Sequence, residues 1–361
     1  MPTATFLNTS SIDIPWLEHA VGREQCDAIQ QRIDSRLKPP GALGALENIM
    51  RQWASCACLR GESGPLRVTS PRLMIFTADH GVAAEGVSLV GSEFTPVMVT
   101  HFLAGDAAVS VSARQANVAL EVVDCGVVQP LPPNPRVTAC RLGAGTESIH
   151  QAPAMTLEAA AAGIANGIEL ARKRCKAGMD LLCVGEMGIG NTTAAAALMA
   201  GLTGYSSAAC TGVGTGINAD TLAHKRTLID QALVLHLPLA EGDPLALAAC
   251  LGGFEIITMA GALLGAAEQG VISVIDGFVA GVAACLACAL VPSVKDYLMF
   301  AHCGSEQGHS ALLEYLNVKA LMELQLRIGE GVGGVLLVPT IRTALACYND
   351  MASVTDAGLS L

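Results

Sequence analysis

The feature that most constrains this chain is a recurring unit. A short, continuous apolar run stops at a polar or glycine-bearing tip, and a helical pattern follows. RLMIFT (72–77) runs into ADHGVAAEGVS (78–88), and the run 118–123 ends at Asp124 and Gly126. DLLCV (180–184) runs into GEMGIGNTT (185–193), and 271–275 ends at Asp276 and Gly277. A fifth run, 297–301, ends in AHCGSEQGH (301–309). Apolar runs without alternation are strands buried on both faces. Five or so strands, each followed by a helix, predict an α/β fold with a mostly parallel sheet covered on both sides. The tips of such strands lie along one edge, where open α/β sheets bind ligands.

Composition agrees with that architecture. The 361 residues are 52% hydrophobic and only 4% aromatic, so Ala, Val, Leu and Gly supply the core of tightly packed helices and buried strands. A formal charge of -11 argues against a nucleic-acid partner, because phosphate backbones attract basic surfaces. The 13 cysteines are odd in number and scattered; Cys285 and Cys288 form a C-x-x-C with no second pair near it. A zinc site needs four ligands, so buried free thiols in a reducing cytoplasm are expected, and no metal. The first residues, MPTATFLNTSSIDIPW, lack the basic and apolar regions of a signal peptide. The longest apolar run, 277–292, falls short of the ~20 residues a spanning helix needs. It reads as a buried helix of a soluble, cytoplasmic protein, with no membrane partner.

Helical periodicity covers 12–36, and the prolines of LKPPGALGALE (37–47) break it. A second helix spans 43–58, and 61–70 reads as a linker, so the first sixty residues form a small helical unit. Residues 98–116 read as one helix. Residues 129–145 carry four prolines and read as a loop. A helix over 156–176 is capped by Thr156, with Leu157, Ala161, Ile164, Ile168 and Ala171 as its inner stripe. Residues 244–269 read as two apolar helices broken at Gly252 and Gly253, and a last apolar helix runs from Val335 to about Met351.

Chemistry-bearing residues sit at the strand tips. GEMGIGNTT places a glycine loop between a strand and a helix N-terminus, where backbone N–H groups and the helix dipole favour an anion. A tight turn needed only for packing has the same look. The spacing approaches a Walker A loop, but Asn191 stands where the lysine belongs, which argues against an NTPase. TGVGTGINAD (211–220) is a second glycine-rich loop, and Lys225 beyond it is either a phosphate partner or a surface lysine. His80 and His302 are site candidates or satisfied structural histidines. Glu255 and Glu268, in apolar helices, read as structural partners. In RIGEGVGG (327–334) one carboxylate, Glu330, stands between glycines before a helix; it is a general base or an acid stabilised by the helix dipole.

Read together, these motifs resemble the nicotinate-nucleotide:dimethylbenzimidazole phosphoribosyltransferases of cobalamin lower-ligand synthesis. The resemblance rests on KPPGALG (38–44), ADHGVAAEGVS, GEMGIGNTT, GTGI with Lys225 downstream, DGF (276–278), AHCGSEQGH and RIGEGVGG, in the family's order. It implies a Rossmann-like sheet domain over 61–334. A small helical domain, 1–60 completed by the C-terminal helix at about 335–361, accompanies it. It implies transfer of 5-phosphoribose from nicotinate mononucleotide to an aromatic base with inversion, giving an α-nucleotide (α-ribazole phosphate or a variant) and nicotinate. Glu330 would be the catalytic base and Glu186 would contact the ribose or the reacting centre. Gly188, Gly190, Asn191 and Thr192, with Lys225, would surround the 5′-phosphate. Ser305, Arg327 and Gly329 would lie along the nucleotide, and Ser88 and Met98 would line the base pocket. The pyridinium leaving group is already cationic, so neither metal nor cofactor is implied. Consistently, no Asp-Asp, Glu-Asp or Asp-Glu pair exists in the chain to hold ribose and magnesium. A homodimer is implied, or a heterodimer with a paralogue.

The chain departs from the family pattern in the acceptor half. Leu89, Val90 and Gly91 replace the usual tyrosine and proline, Pro96 and Val97 replace a polar segment, and Val213 replaces an arginine. The acceptor is therefore expected to be dimethylbenzimidazole or a variant: unsubstituted benzimidazole, a purine or a phenol. A catalytically silent or half-active paralogue subunit is the alternative; retained Glu330 and Glu186 count against it.

Overall fold

The computed structural model describes residues 23–358 except 213, 215 and 305. Helices α1 (Arg23–Asp34) and α2 (Ala45–Leu59) precede β1 (Pro71–Ala78). Helices α3 (Phe94–Ala104) and α4 (Ala108–Gln115), then β2 (Ala119–Gly126), β3 (Val137–Ala139) and α5 (Leu157–Lys176) follow. Next come β4 (Leu181–Met187), α6 (Asn191–Thr203), α7 (Ser207–Cys210), α8 (Ala219–Ala240), α9 (Pro244–Leu251) and α10 (Phe254–Glu268). The chain continues through β5 (Ile272–Ile275), α11 (Phe278–Leu290), β6 (Leu298–Phe300), α12 (Gln307–Tyr315) and α13 (Val332–Asp350).

The six strands form one parallel sheet in the order β3-β2-β1-β4-β5-β6. The direction of winding reverses between β1 and β4. In doubly wound sheets the crevice beyond the strand tips at that switch binds the ligand. Burial of nearly every residue in β1, β4 and β5 reflects helices on both faces. α10 and α11 pack against the sheet, as do α13 and α4. α5 lies against α10 at close quarters. A Cβ at Gly167 or Gly261 would collide with the opposing helix backbone, which is what the Gly/Ala-rich composition permits.

Two expectations need correction. The helix expected over 98–116 is two helices, because Gly105 at φ 92° ends α3 and the chain restarts at Ala108. The stretch Phe94–Gln115 is long and apolar enough to cross a membrane by length and composition, but this break divides it. The proline-rich stretch 129–145 contains β3, a short edge strand paired with β2; edge position tolerates the neighbouring prolines. The sheet therefore has a sixth strand. Of the helix expected over 12–36, only the part from Arg23 is described. Two other readings hold: Thr156 accepts the Ala159 N–H and caps α5, and α9 and α10 part at Gly252 and Gly253.

The N-terminal helices meet the C-terminal one. α2 packs on α13, and Arg36 donates from its guanidinium to the carbonyls of Tyr348 and Met351. Backbone bonds Leu37 N–H to Ala352 O (2.8 Å) and Val354 N–H to Ser35 O (2.9 Å) complete the junction.

Candidate active site

A cleft of about 530 Å³ opens at the strand tips. Its lining includes Ser88, Met98, Glu186, Gly188, Gly190, Asn191, Thr192, Lys225, Arg327, Gly329 and Glu330. Eleven of the twelve residues singled out from the sequence thus face one space; Ser305 lies outside the described residues, as does Val213.

The acids are set by backbone contact. β4 carries Glu186 one residue beyond Gly185, and a Cβ at Gly185 would strike the Glu330 carbonyl. A Cβ at Gly329 would strike Glu186 Oε1. The two glycines therefore let the β4 tip and the 327–331 turn touch, bringing two carboxylates to one wall. Glu330 itself sits at φ 67°, in the left-handed region that non-glycine residues seldom adopt. Such a conformation persists where the surroundings dictate it, and it recurs at functional sites. Glu330 Oε2 is buried without a hydrogen-bond partner among the described residues.

Desolvation shapes both acids. Burial pushes Glu330 up to about 7, helped by the nearby Asp276 charge. Burial pushes Glu186 up to about 8, opposed by a hydrogen bond from the Asn191 amide and aided by Glu255, Asp276 and Glu330. The asparagine at the Walker-lysine position therefore serves Glu186. Two neighbouring acids with raised proton affinity can divide the work near neutral pH, one taking a proton while the other keeps its own.

The same cleft carries positive groups. The glycine loop leads into the N-terminus of α6, and the buried Lys225 donates to Thr192 Oγ1 at 2.7 Å. Burial lowers the Lys225 ammonium to about 8, against the pull of Glu306. Glu306 in turn accepts the Gly214 N–H at 3.0 Å. A buried cation beside the positive end of a helix is an arrangement that a dianion relieves. The loop is fixed from below: Asp79 accepts from Thr95 Oγ1 at 2.6 Å, and Thr95 accepts the Ile189 N–H at 3.4 Å.

The third wall is apolar. Leu89, Val90 and Phe94 join Met98 and Ser88. Pro96 and Val97 do not line the cleft, so only part of the altered segment faces a ligand. Sequence reasoning missed Phe94, Phe278 and Glu306 as lining residues; DGF and AHCGSEQGH contained the last two, but nothing in their spacing set their direction.

The other candidates divide. His80 and Glu255 pair at 2.7 Å, buried behind the glycine loop, and do not line the cleft. Glu268 is held by Arg172 at 2.5 and 2.6 Å. Both acids are structural partners, as their helical context implied. His302, by contrast, lines the cleft and stands 3.6 Å from Asp276. Cys285 and Cys288 are free thiols.

The family model described as Phosphoribosyltransferase matches residues 19–359. The nicotinate-nucleotide–dimethylbenzimidazole phosphoribosyltransferase of Shewanella loihica is 47% identical over 333 residues, covering 92% of this chain and 96% of the relative. Its Shewanella oneidensis counterpart is 47% identical over 341 residues, covering 94% and 95%. A crystal structure of the enzyme so named from Thermus thermophilus superposes with a TM-score of 0.87 at 38% identity, covering 94% of this chain and all of that one. Motif order, a parallel sheet with its cleft at the winding reversal, and full-length similarity agree: the chain belongs to the nicotinate-nucleotide–dimethylbenzimidazole phosphoribosyltransferase family and is a pentosyltransferase.

Proposed function

We propose that this chain transfers the 5-phosphoribosyl group of nicotinate mononucleotide to a benzimidazole-type base in cobalamin lower-ligand synthesis. The observation that carries the reading is the pair Glu330 and Glu186 on one wall of a cleft that Lys225 and the α6 N-terminus also line. The 5′-phosphate sits on Gly188, Gly190, Asn191, Thr192 and Lys225, with Ser305, Arg327 and Gly329 along the nucleotide. One nitrogen of the acceptor ring attacks C1′ from the face opposite nicotinate. The glycosidic bond breaks and its electron pair neutralises the pyridinium nitrogen, so the product is an α-nucleotide and free nicotinate. The proton on the other ring nitrogen passes to Glu330. Glu186, protonated near neutral pH, donates to the ribose.

Leu89, Val90, Phe94 and Met98 make this wall mostly apolar, with Ser88 its polar exception, and burying a purine's exocyclic amine against the apolar side chains is costly. Benzimidazole and dimethylbenzimidazole are accordingly the expected acceptors. Competition assays check this; a preference for adenine would refute it. The chain works in the cytoplasm as a homodimer, and residues 1–60 with about 335–361 make up a small helical domain; the junction through Arg36 supports that division.

The decisive experiment uses Glu330→Gln. Turnover, read as nicotinate release by the purified chain, should fall about 10²- to 10⁴-fold, with nucleotide affinity retained. Near-normal turnover would refute the base assignment. Absence of turnover in the parent chain alone would favour the silent-paralogue alternative.

A further inference from the structure

We infer that Asp276 is a positioning residue for the reaction: from behind the cleft wall, its carboxylate holds the turn that aims Glu330. The inference rests on the reading of Glu330 as the base. Asp276 follows β5 directly, is 2% exposed, and does not line the cleft. Its Oδ2 accepts the Gly331 N–H at 2.9 Å and its Oδ1 accepts the Gly334 N–H at 3.1 Å. Those amides flank the first turn of α13, where helix N–H groups have no partner within the helix. Holding Gly331 fixes the residue just before it. That residue is Glu330 at φ 67°, which needs such a constraint. Gly333 completes the device, since a Cβ there would collide with the His302 ring and stand 2.8 Å from Asp276 Oδ1.

The charge acts as well as the geometry. Asp276 faces Glu330 from the turn, Glu186 and Cys183 from β4, and His302 from the β6 tip at 3.6 Å. A fixed negative charge behind two acids raises their hold on a proton.

Asp276→Asn separates the two contributions. The variant keeps the shape, removes the charge and leaves one of the two amides without an acceptor. We expect kcat to fall by about tenfold to a hundredfold, with the KM for nicotinate mononucleotide nearly unchanged. The acidic limb of the kcat–pH profile should move to lower pH, because the base ionises more readily once the neighbouring charge is gone. Asp276→Glu should return the limb to its original position while kcat stays reduced by the longer side chain. If Asp276→Asn fails to fold, Asp276→Glu decides alone: wild-type kcat would overturn the inference. In folded Asp276→Asn, an unmoved limb overturns it, whatever happens to thermal stability. Glu330→Gln is the control. If that variant keeps turnover, the base reading itself has failed; if it is inactive while Asp276→Asn behaves as wild type, only the role of Asp276 falls.

Discussion

At the scale of single residues, the cleft combines groups whose protonation is set by burial. If Glu330, raised to about 7, is the base we propose, it must lose its proton before it can accept one from the substrate. Activity should therefore rise with pH through about 7, the raised value, rather than through the ordinary carboxylate range near ~4. A pH profile of kcat/KM reads this in the free enzyme; a flat profile between pH ~5 and ~7 would contradict it. Lys225 works in the opposite sense. It is cationic below about 8 and loses its charge as pH rises through that value. KM for nicotinate mononucleotide should climb above that pH. Lys225→Ala should raise KM by about tenfold or more at neutral pH and lose that alkaline climb. Steady-state kinetics at several pH values test both.

The residue types of this site were legible before the structure, and their reasons were not. Glu330 between glycines was visible as a lone acid before a helix. Its left-handed backbone and its orphaned oxygen are consequences of packing against β4 and Asp276. Asn191 read as a departure from a Walker loop and, by resemblance, as a phosphate neighbour; its bond to Glu186 was not legible, because the two become neighbours when the loop closes.

At the scale of elements, the contact between β4 and the turn before α13 makes the site. Gly329→Ala tests it. The added methyl meets the Glu186 carboxylate, a side chain that can swing aside, so kcat should fall more than tenfold (a displaced catalytic group costs about that much or more) with little change in melting temperature. Gly185→Ala meets the Glu330 backbone instead, which has nowhere to go, and should cost about 1–3 kcal/mol of stability. Thermal denaturation and kcat, measured on both variants, separate the two outcomes. Element types were read well where apolar periodicity was long. They failed at Gly105, where one glycine ends a helix inside an apolar stretch, and at β3, whose three residues carry no periodic signal.

At the scale of the whole molecule, the segment after α1 closes on the end of α13. Arg32 stacks 4.6 Å above the Tyr348 ring, and Arg36 reaches the end of α13. Because α13 begins at the turn that carries Glu330, this junction anchors the far end of the helix that Asp276 holds at the near end. Arg36→Ala should lower stability by about 1.5–3 kcal/mol, the worth of hydrogen bonds from a charged donor, and leave kcat intact below the melting transition. Calorimetry with parallel assays checks it; a matching loss of kcat would mean that the junction also tunes the site.

The sequence by itself determined the class of fold, because apolar runs of strand length alternating with helical stretches have few ways to bury both faces. It also determined which residues gather at one edge, since parallel strands place their tips together. Tertiary structure alone decided the strand order, with its reversal between β1 and β4, and which acids share a wall. Those depend on contacts between segments more than a hundred residues apart, such as Gly185 against Glu330, and no local spacing encodes them.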